Sequence, residues 1–69
     1  MKLFTTKSCK QCPIVIGQLD FKGVEYEMID AEENPELPAE YGFQSVPTIV
    51  KDDGSVFIGT TECLRAINE

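Results

Sequence analysis

The 69-residue chain contains no histidine. That absence removes the Cys–His and Ser–His–Asp nucleophile arrangements, which need an imidazole to carry the proton. It also leaves three cysteines as the only thiolate or imidazole ligands, one short of a closed structural zinc site. A metal would need a carboxylate, a second chain or a bound thiol, and the main alternative of that kind is an iron–sulfur cluster shared across a dimer. An odd cysteine count does not suit a secreted scaffold of paired disulfides. No apolar run approaches membrane-spanning length, and one lysine followed by a strand-like run is not a signal-peptide pattern. The expectation is a cytoplasmic protein with no membrane partner, and in a reducing compartment a C-x-x-C pair is catalytic or metal-binding more often than structural. Repeats, linkers and low-complexity tracts are also missing, so residues 1–69 are read as a single domain, small enough that its stability margin is thin.

Cations are scarce as well: six Lys and Arg stand against twelve Asp and Glu, a net charge of −6. Nucleic acid and anionic membrane surfaces are therefore excluded as expected partners. The shortage is uneven. Residues 1–19 hold Lys2, Lys7 and Lys10 and no acid, and all twelve carboxylates lie from Asp20 onward.

What the chain does have is concentrated in Thr5-Thr6-Lys7-Ser8-Cys9-Lys10-Gln11-Cys12-Pro13. Two cysteines three apart sit where a strand-like run gives way to an apolar, helix-like segment, Ile14 to Phe21. A disulfide needs Cβ atoms roughly 3.5–4.5 Å apart, whereas i and i+3 in a regular helix stand about 5–6 Å apart, so the pair closes only at an irregular first turn. That turn also presents unpaired N–H groups and the positive end of the helix dipole, which favour an anionic sulfur on Cys9. Such settings, helped by flanking lysines, lower a cysteine pKa from about 8.5 to about 3.5–7.5. The pair reads as a redox dithiol, with a metal knuckle or an inert buried pair as alternatives. Lys10 and Gln11 are placed to tune its potential through charge and dipole.

The remaining elements follow in order. Residues 2–6 predict a strand. Cys12, Val15, Ile16 and Leu19 form a helical apolar stripe, which turns Cys12 inward and leaves Cys9 more exposed. Pro13 is tolerated only in a first turn, so the helix is expected to begin near Cys9 or to kink beside Cys12, and to end at Lys22-Gly23. Residues 24–29 predict a second, parallel strand. Asp30 belongs to a turn, and Asn34 is the expected N-cap of a short helix over 35–41 closed by Gly42. Residues 46–50 and 55–58 predict a hairpin around Asp52-Asp53-Gly54. A last helix carries Cys63, Leu64 and Ile67 on an inward face, where Cys63 reads as a buried, inert thiol.

That β-α-β-α-β-β-α order resembles an α/β minimal thioredoxin fold, a four-stranded mixed sheet flanked by three helices. The C-x-x-C after the first strand, Gly42-Phe43-Gln44-Ser45-Val46-Pro47, and Phe57-Ile58-Gly59 before the last helix carry the resemblance. Within that fold the chain is similar to the glutaredoxins and to the glutaredoxin-like redoxins that supply electrons to ribonucleotide reductase. The resemblance implies a dithiol–disulfide oxidoreductase acting on protein or glutathione mixed disulfides, with Cys9 attacking and Cys12 resolving. It implies a cis Pro47, with the peptide of Val46 binding substrate backbone. It also implies substrate contacts from Thr60, Thr61 and Glu62 at the start of the last helix, with Lys7 and Lys10 beside the dithiol. Gly59-Thr60-Thr61-Glu62-Cys63 lacks the second glycine and first Asp of the glutaredoxin segment that holds glutathione. Glutathione and thioredoxin reductase both stand as expected electron sources, and ribonucleotide reductase as one of the disulfide substrates. No bound cofactor and a monomer are expected.

Overall fold

The computed structural model describes residues 1–68. Its elements run β1 (Lys2–Thr5), α1 (Cys12–Phe21), β2 (Glu27–Asp30), α2 (Glu36–Tyr41), β3 (Thr48–Val50), β4 (Val56–Ile58) and α3 (Thr60–Asn68). The sheet order is β2-β1-β3-β4, with β1 parallel to β2 and antiparallel to β3, and β3 antiparallel to β4. This is the mixed four-stranded sheet and element order that the sequence predicts.

Alternation along β1 divides the core in two. Leu3 faces a cluster of Val15, Leu19, Ile49, Cys63, Ala66 and Ile67, which packs α1 and α3 on one side of the sheet. Phe4 faces the opposite way, onto Phe43 and Val50, with Leu37 and Tyr41 of α2 against them. The Phe4 ring stands 4.9 Å from Phe43 and 5.8 Å from Tyr41, both tilted, a favoured arrangement for aromatic pairs. The central strands β1 and β3 are almost wholly buried, and the dithiol follows directly from the end of β1.

Several boundaries differ from expectation, each for a local reason. Helix α1 begins at Cys12, not near Cys9, and Pro13 falls in its first turn, where the missing N–H costs nothing and no kink is needed. Strand β2 begins at Glu27 because Lys22, Gly23 and Val24 donate back to Gln18, Asp20 and Leu19, which uses up the preceding residues in closing α1. Asn34 does not cap α2. Its Nδ2 donates to the Asp30 carbonyl at 3.1 Å, and Pro35 occupies the cap position. Asp30 behaves as a turn residue, its Oδ1 accepting from the N–H groups of Glu32 and Glu33 at 2.8 and 3.3 Å. Gly42 closes α2 with φ 81°, a left-handed conformation that glycine adopts without penalty. On α3 the buried face is Cys63, Ala66 and Ile67, while Leu64 is only partly covered.

Candidate active site

The dithiol loop is anchored at both ends. On its β1 side the Cys9 N–H donates to the Thr6 carbonyl at 3.2 Å, and on its helix side the Ile14 N–H donates to the Gln11 carbonyl at 3.1 Å. Cys9 and Cys12 are joined as a disulfide with Cα atoms 5.6 Å apart. Because α1 starts only at Cys12, Cys9 lies outside the regular helix, and the i, i+3 gap closes as a first-turn irregularity requires.

The two sulfurs have different surroundings. Cys12 heads the buried face of α1 with Val15 and Leu19, whereas Cys9 is only partly covered. The Cys12 N–H donates to the Cys9 Sγ at 3.1 Å. In the reduced state the same donor, at the positive end of the helix dipole, would stabilise a thiolate on Cys9 in preference to Cys12. No acidic side chain precedes Asp20 in the sequence.

The residues singled out downstream are tied to this loop by a short relay. The Thr60 hydroxyl donates to Gln11 Oε1 at 2.5 Å, linking the start of α3 to the loop between the cysteines. The next residue back, Gly59, donates its N–H to the Pro47 carbonyl at 2.9 Å. The Val46–Pro47 peptide is cis, and Pro47 is fully buried. Among the described residues neither the N–H nor the carbonyl of Val46 has a hydrogen-bond partner, so an extended backbone has a free edge to pair with. Val46 also borders a cleft of about 540 Å³ with Thr6, Pro38 and Phe43.

The other residues expected to contact substrate are placed less closely together. Thr61 and Lys10 are exposed. Glu62 is engaged by Arg65 at 3.6 Å within α3. Lys7 borders a different cleft, over β1, β2 and α2, with Asp30 and Glu33. Cys63 is wholly buried, its thiol 3.4 Å from the carbonyl oxygens of Pro47 and Phe57, and burial pushes its pKa up to about 11. It contacts the Pro47 loop from within the core and is closed to solvent. Among the described residues no three Cys, Asp or Glu side chains converge as metal ligands would. The Gln11–Thr60 contact spans 49 residues and has no local signal in the sequence.

Similarity to known proteins covers most of the chain. The glutaredoxin family model matches residues 1–56. A thioredoxin of Methanocaldococcus jannaschii is 38% identical over 65 residues, spanning 86% of this chain and 76% of the relative. A crystal structure of a mutant of the thioredoxin-like protein BC3987 superposes with a TM-score of 0.80 at 29% identity, covering 99% of this chain and 97% of the other.

Proposed function

Since this chain belongs to the glutaredoxin family, we propose that it is a dithiol–disulfide oxidoreductase that reduces protein or glutathione mixed disulfides. The observation that carries the reading is the pairing of Cys9 with Cys12 where α1 begins, with the Cys12 N–H aimed at the Cys9 sulfur.

In the proposed cycle the reduced chain presents Cys9 as a thiolate. Its Sγ attacks one sulfur of a substrate disulfide, forming a Cys9–substrate bond and releasing the other substrate sulfur as a thiolate that takes up a proton. Cys12 then loses its proton and attacks the Cys9 Sγ, expelling the second substrate thiol and leaving the Cys9–Cys12 disulfide. Two electrons have moved from the chain to the substrate, and an external thiol or reductase returns them. Substrate backbone pairing at Val46 would hold the disulfide in line for the first attack.

The test is reduction of a small disulfide and of a protein disulfide by purified protein. Cys9→Ser should abolish both reactions, and Cys12→Ser should accumulate mixed disulfides visible by mass spectrometry. Full activity in Cys9→Ser would show that the nucleophile is misassigned. A second reading, recharging by thioredoxin reductase and electron supply to ribonucleotide reductase, is favoured by the relative that is itself a thioredoxin. Turnover measured with glutathione and with thioredoxin reductase as sole electron source decides between them.

A further inference from the structure

Helix α1 buries Cys12, Val15 and Leu19, yet its opposite side is not polar. Ile14 is 53% exposed and Phe21 84% exposed, half of the four large apolar side chains left open to solvent among the described residues. With Gly17 between them, spaced by three and four, they share one face of the helix. No charged side chain lies between Lys10 and Asp20. The strip starts in the first turn after Cys12 and extends about 10 Å along the helix axis.

Gly17 sharpens the point. A glycine in mid-helix weakens the helix, and here nothing inside the chain asks for one. A Cβ at Gly17 would meet no atom within 4 Å, and Gly17 is not among the glycines with positive φ. The room it leaves is on the outside.

The cations point to what fits there. Of the six, Arg65 pairs with Glu62, while Lys2 and Lys51 lie over the rings of Tyr41 and Phe57. The side chains of Lys7, Lys10 and Lys22 have no such partner among the described residues, although the chain carries twelve carboxylates. Lys10 and Lys22 flank the apolar strip in the chain, and Asp20, the one carboxylate beside it, accepts a hydrogen bond from the Tyr26 hydroxyl at 3.3 Å. A second copy docked face to face would set Lys10 against Lys10 with the helices parallel and against Lys22 with them antiparallel, with only the already engaged Asp20 to offset it. A carboxylate-edged surface would complement these lysines.

We propose that the outer face of α1 docks the protein that exchanges a disulfide with Cys9, and that this partner is apolar and edged with Asp or Glu beside its own cysteine. The inference rests on the redox reading above and adds the class of surface that the site selects.

Two synthetic helical peptides provide the probe. Each carries the same disulfide beside a leucine face, edged with glutamates in one and with lysines in the other, and a small aromatic disulfide serves as reference. The wild-type chain should reduce the glutamate-edged peptide with a kcat/KM about tenfold higher than the lysine-edged one at low salt. Phe21→Ser with Lys22→Glu should erase that preference and leave reduction of the small disulfide unchanged, with Lys22→Glu alone giving a partial loss. Equal turnover of the two peptides by wild type overturns the proposal, as does a variant that keeps the preference. A parallel fall in small-disulfide turnover also overturns it, since the effect would then lie in fold or chemistry. A concentration-dependent dimer in sedimentation that Phe21→Ser abolishes would assign the face to a second copy instead. If wild type reduces no disulfide at all, the redox reading fails and takes this one with it. If it reduces the small disulfide but ignores peptide charge, only the docking surface is lost.

Discussion

Replacing Gly17 by Ala should make the protein more stable and a poorer reductant of its macromolecular partner. The stability half follows from the helix alone. Glycine in a helix interior costs about 0.5–1 kcal/mol relative to alanine, because more backbone freedom is lost on folding. Nothing opposes the gain: an added Cβ meets no atom within 4 Å, and the backbone at this position is not left-handed. A domain of this size has a total stability of about 3–10 kcal/mol at about 0.05–0.15 kcal/mol per residue, so the increment is a measurable share. It should raise Tm by about 2–8 °C, given that 1 kcal/mol shifts a small domain by about 4–8 °C. Urea denaturation of the oxidised protein should show a higher midpoint at unchanged slope. The functional half follows from the outward direction of that position. A methyl between Ile14 and Phe21 would hold off a closely packed partner, lowering kcat/KM for the glutamate-edged peptide while the small disulfide is reduced at the wild-type rate. An unchanged or lower midpoint would refute the claim that Gly17 has no internal task. A raised midpoint with undiminished peptide turnover would refute close approach at this face.

Cys63 offers a pH test. Its thiol is held protonated by burial up to about 11 against an ordinary 9.0, so below about pH 9 it is neutral in both folded and unfolded chains and contributes nothing to pH dependence. Between about pH 9 and 11 the unfolded chain ionises first, and stability should fall by about 2–3 kcal/mol, at about 1.4 kcal/mol per pH unit. Cys63→Ala should remove that part of the slope in denaturation of the oxidised protein, and persistence of the full slope would refute the assignment. The same burial predicts that iodoacetamide at pH 8 labels Cys63 only after denaturant is added. Leu19→Ala empties a wholly buried site shared by α1, α3 and the sheet, so a loss of about 2–5 kcal/mol is expected, enough to unfold much of the population at 37 °C by circular dichroism. Thr60→Val removes the hydroxyl that holds Gln11, at a cost of about 1 kcal/mol or less. Faster amide exchange at residues 10–12 is the expected sign, and unchanged exchange would show that the contact does not restrain the loop.

Much of this was readable in the residues, and the exceptions have physical causes. Patterning locates β1, α1, β2 and α3, while Pro35 with Gly42 and the Asp52-Asp53-Gly54 turn locate α2 and the β3–β4 hairpin, whose own burial is too slight or too two-sided to show as a period. The boundaries fail where a hydrogen bond competes with the local rule. Asn34 has the chemistry of an N-cap, yet the Asp30 carbonyl takes its amide, and Val24 opens a run with strand-like alternation but donates its N–H back to Leu19 in closing α1. Pro13 was the most informative irregularity: its demand for a first turn is met by starting the helix at Cys12, which is also what frees Cys9 from helical geometry. The Gln11–Thr60 contact and the free edge at Val46 are products of tertiary placement, and no spacing rule finds them.

The division of labour between the two sulfurs follows from the same helix start. One residue, Cys12, is both the first buried side chain of α1 and the source of the N–H that reaches Cys9. Its burial disfavours a charge on its own sulfur, while its backbone favours one on its neighbour. The asymmetry therefore does not depend on the lysines, which are exposed and contribute weakly through water. If that is right, Lys7→Gln and Lys10→Gln together should leave the order of reactivity intact, with Cys9 alkylated by iodoacetamide before Cys12 in the reduced protein. Shifting the helix start should reverse or erase it. Pro13→Gly, which loosens the first turn, is the substitution to use, and the ratio of Cys9 to Cys12 labelling by mass spectrometry is the readout. A ratio that collapses with the lysines and survives the loosened turn would place the origin of the asymmetry in surface charge instead.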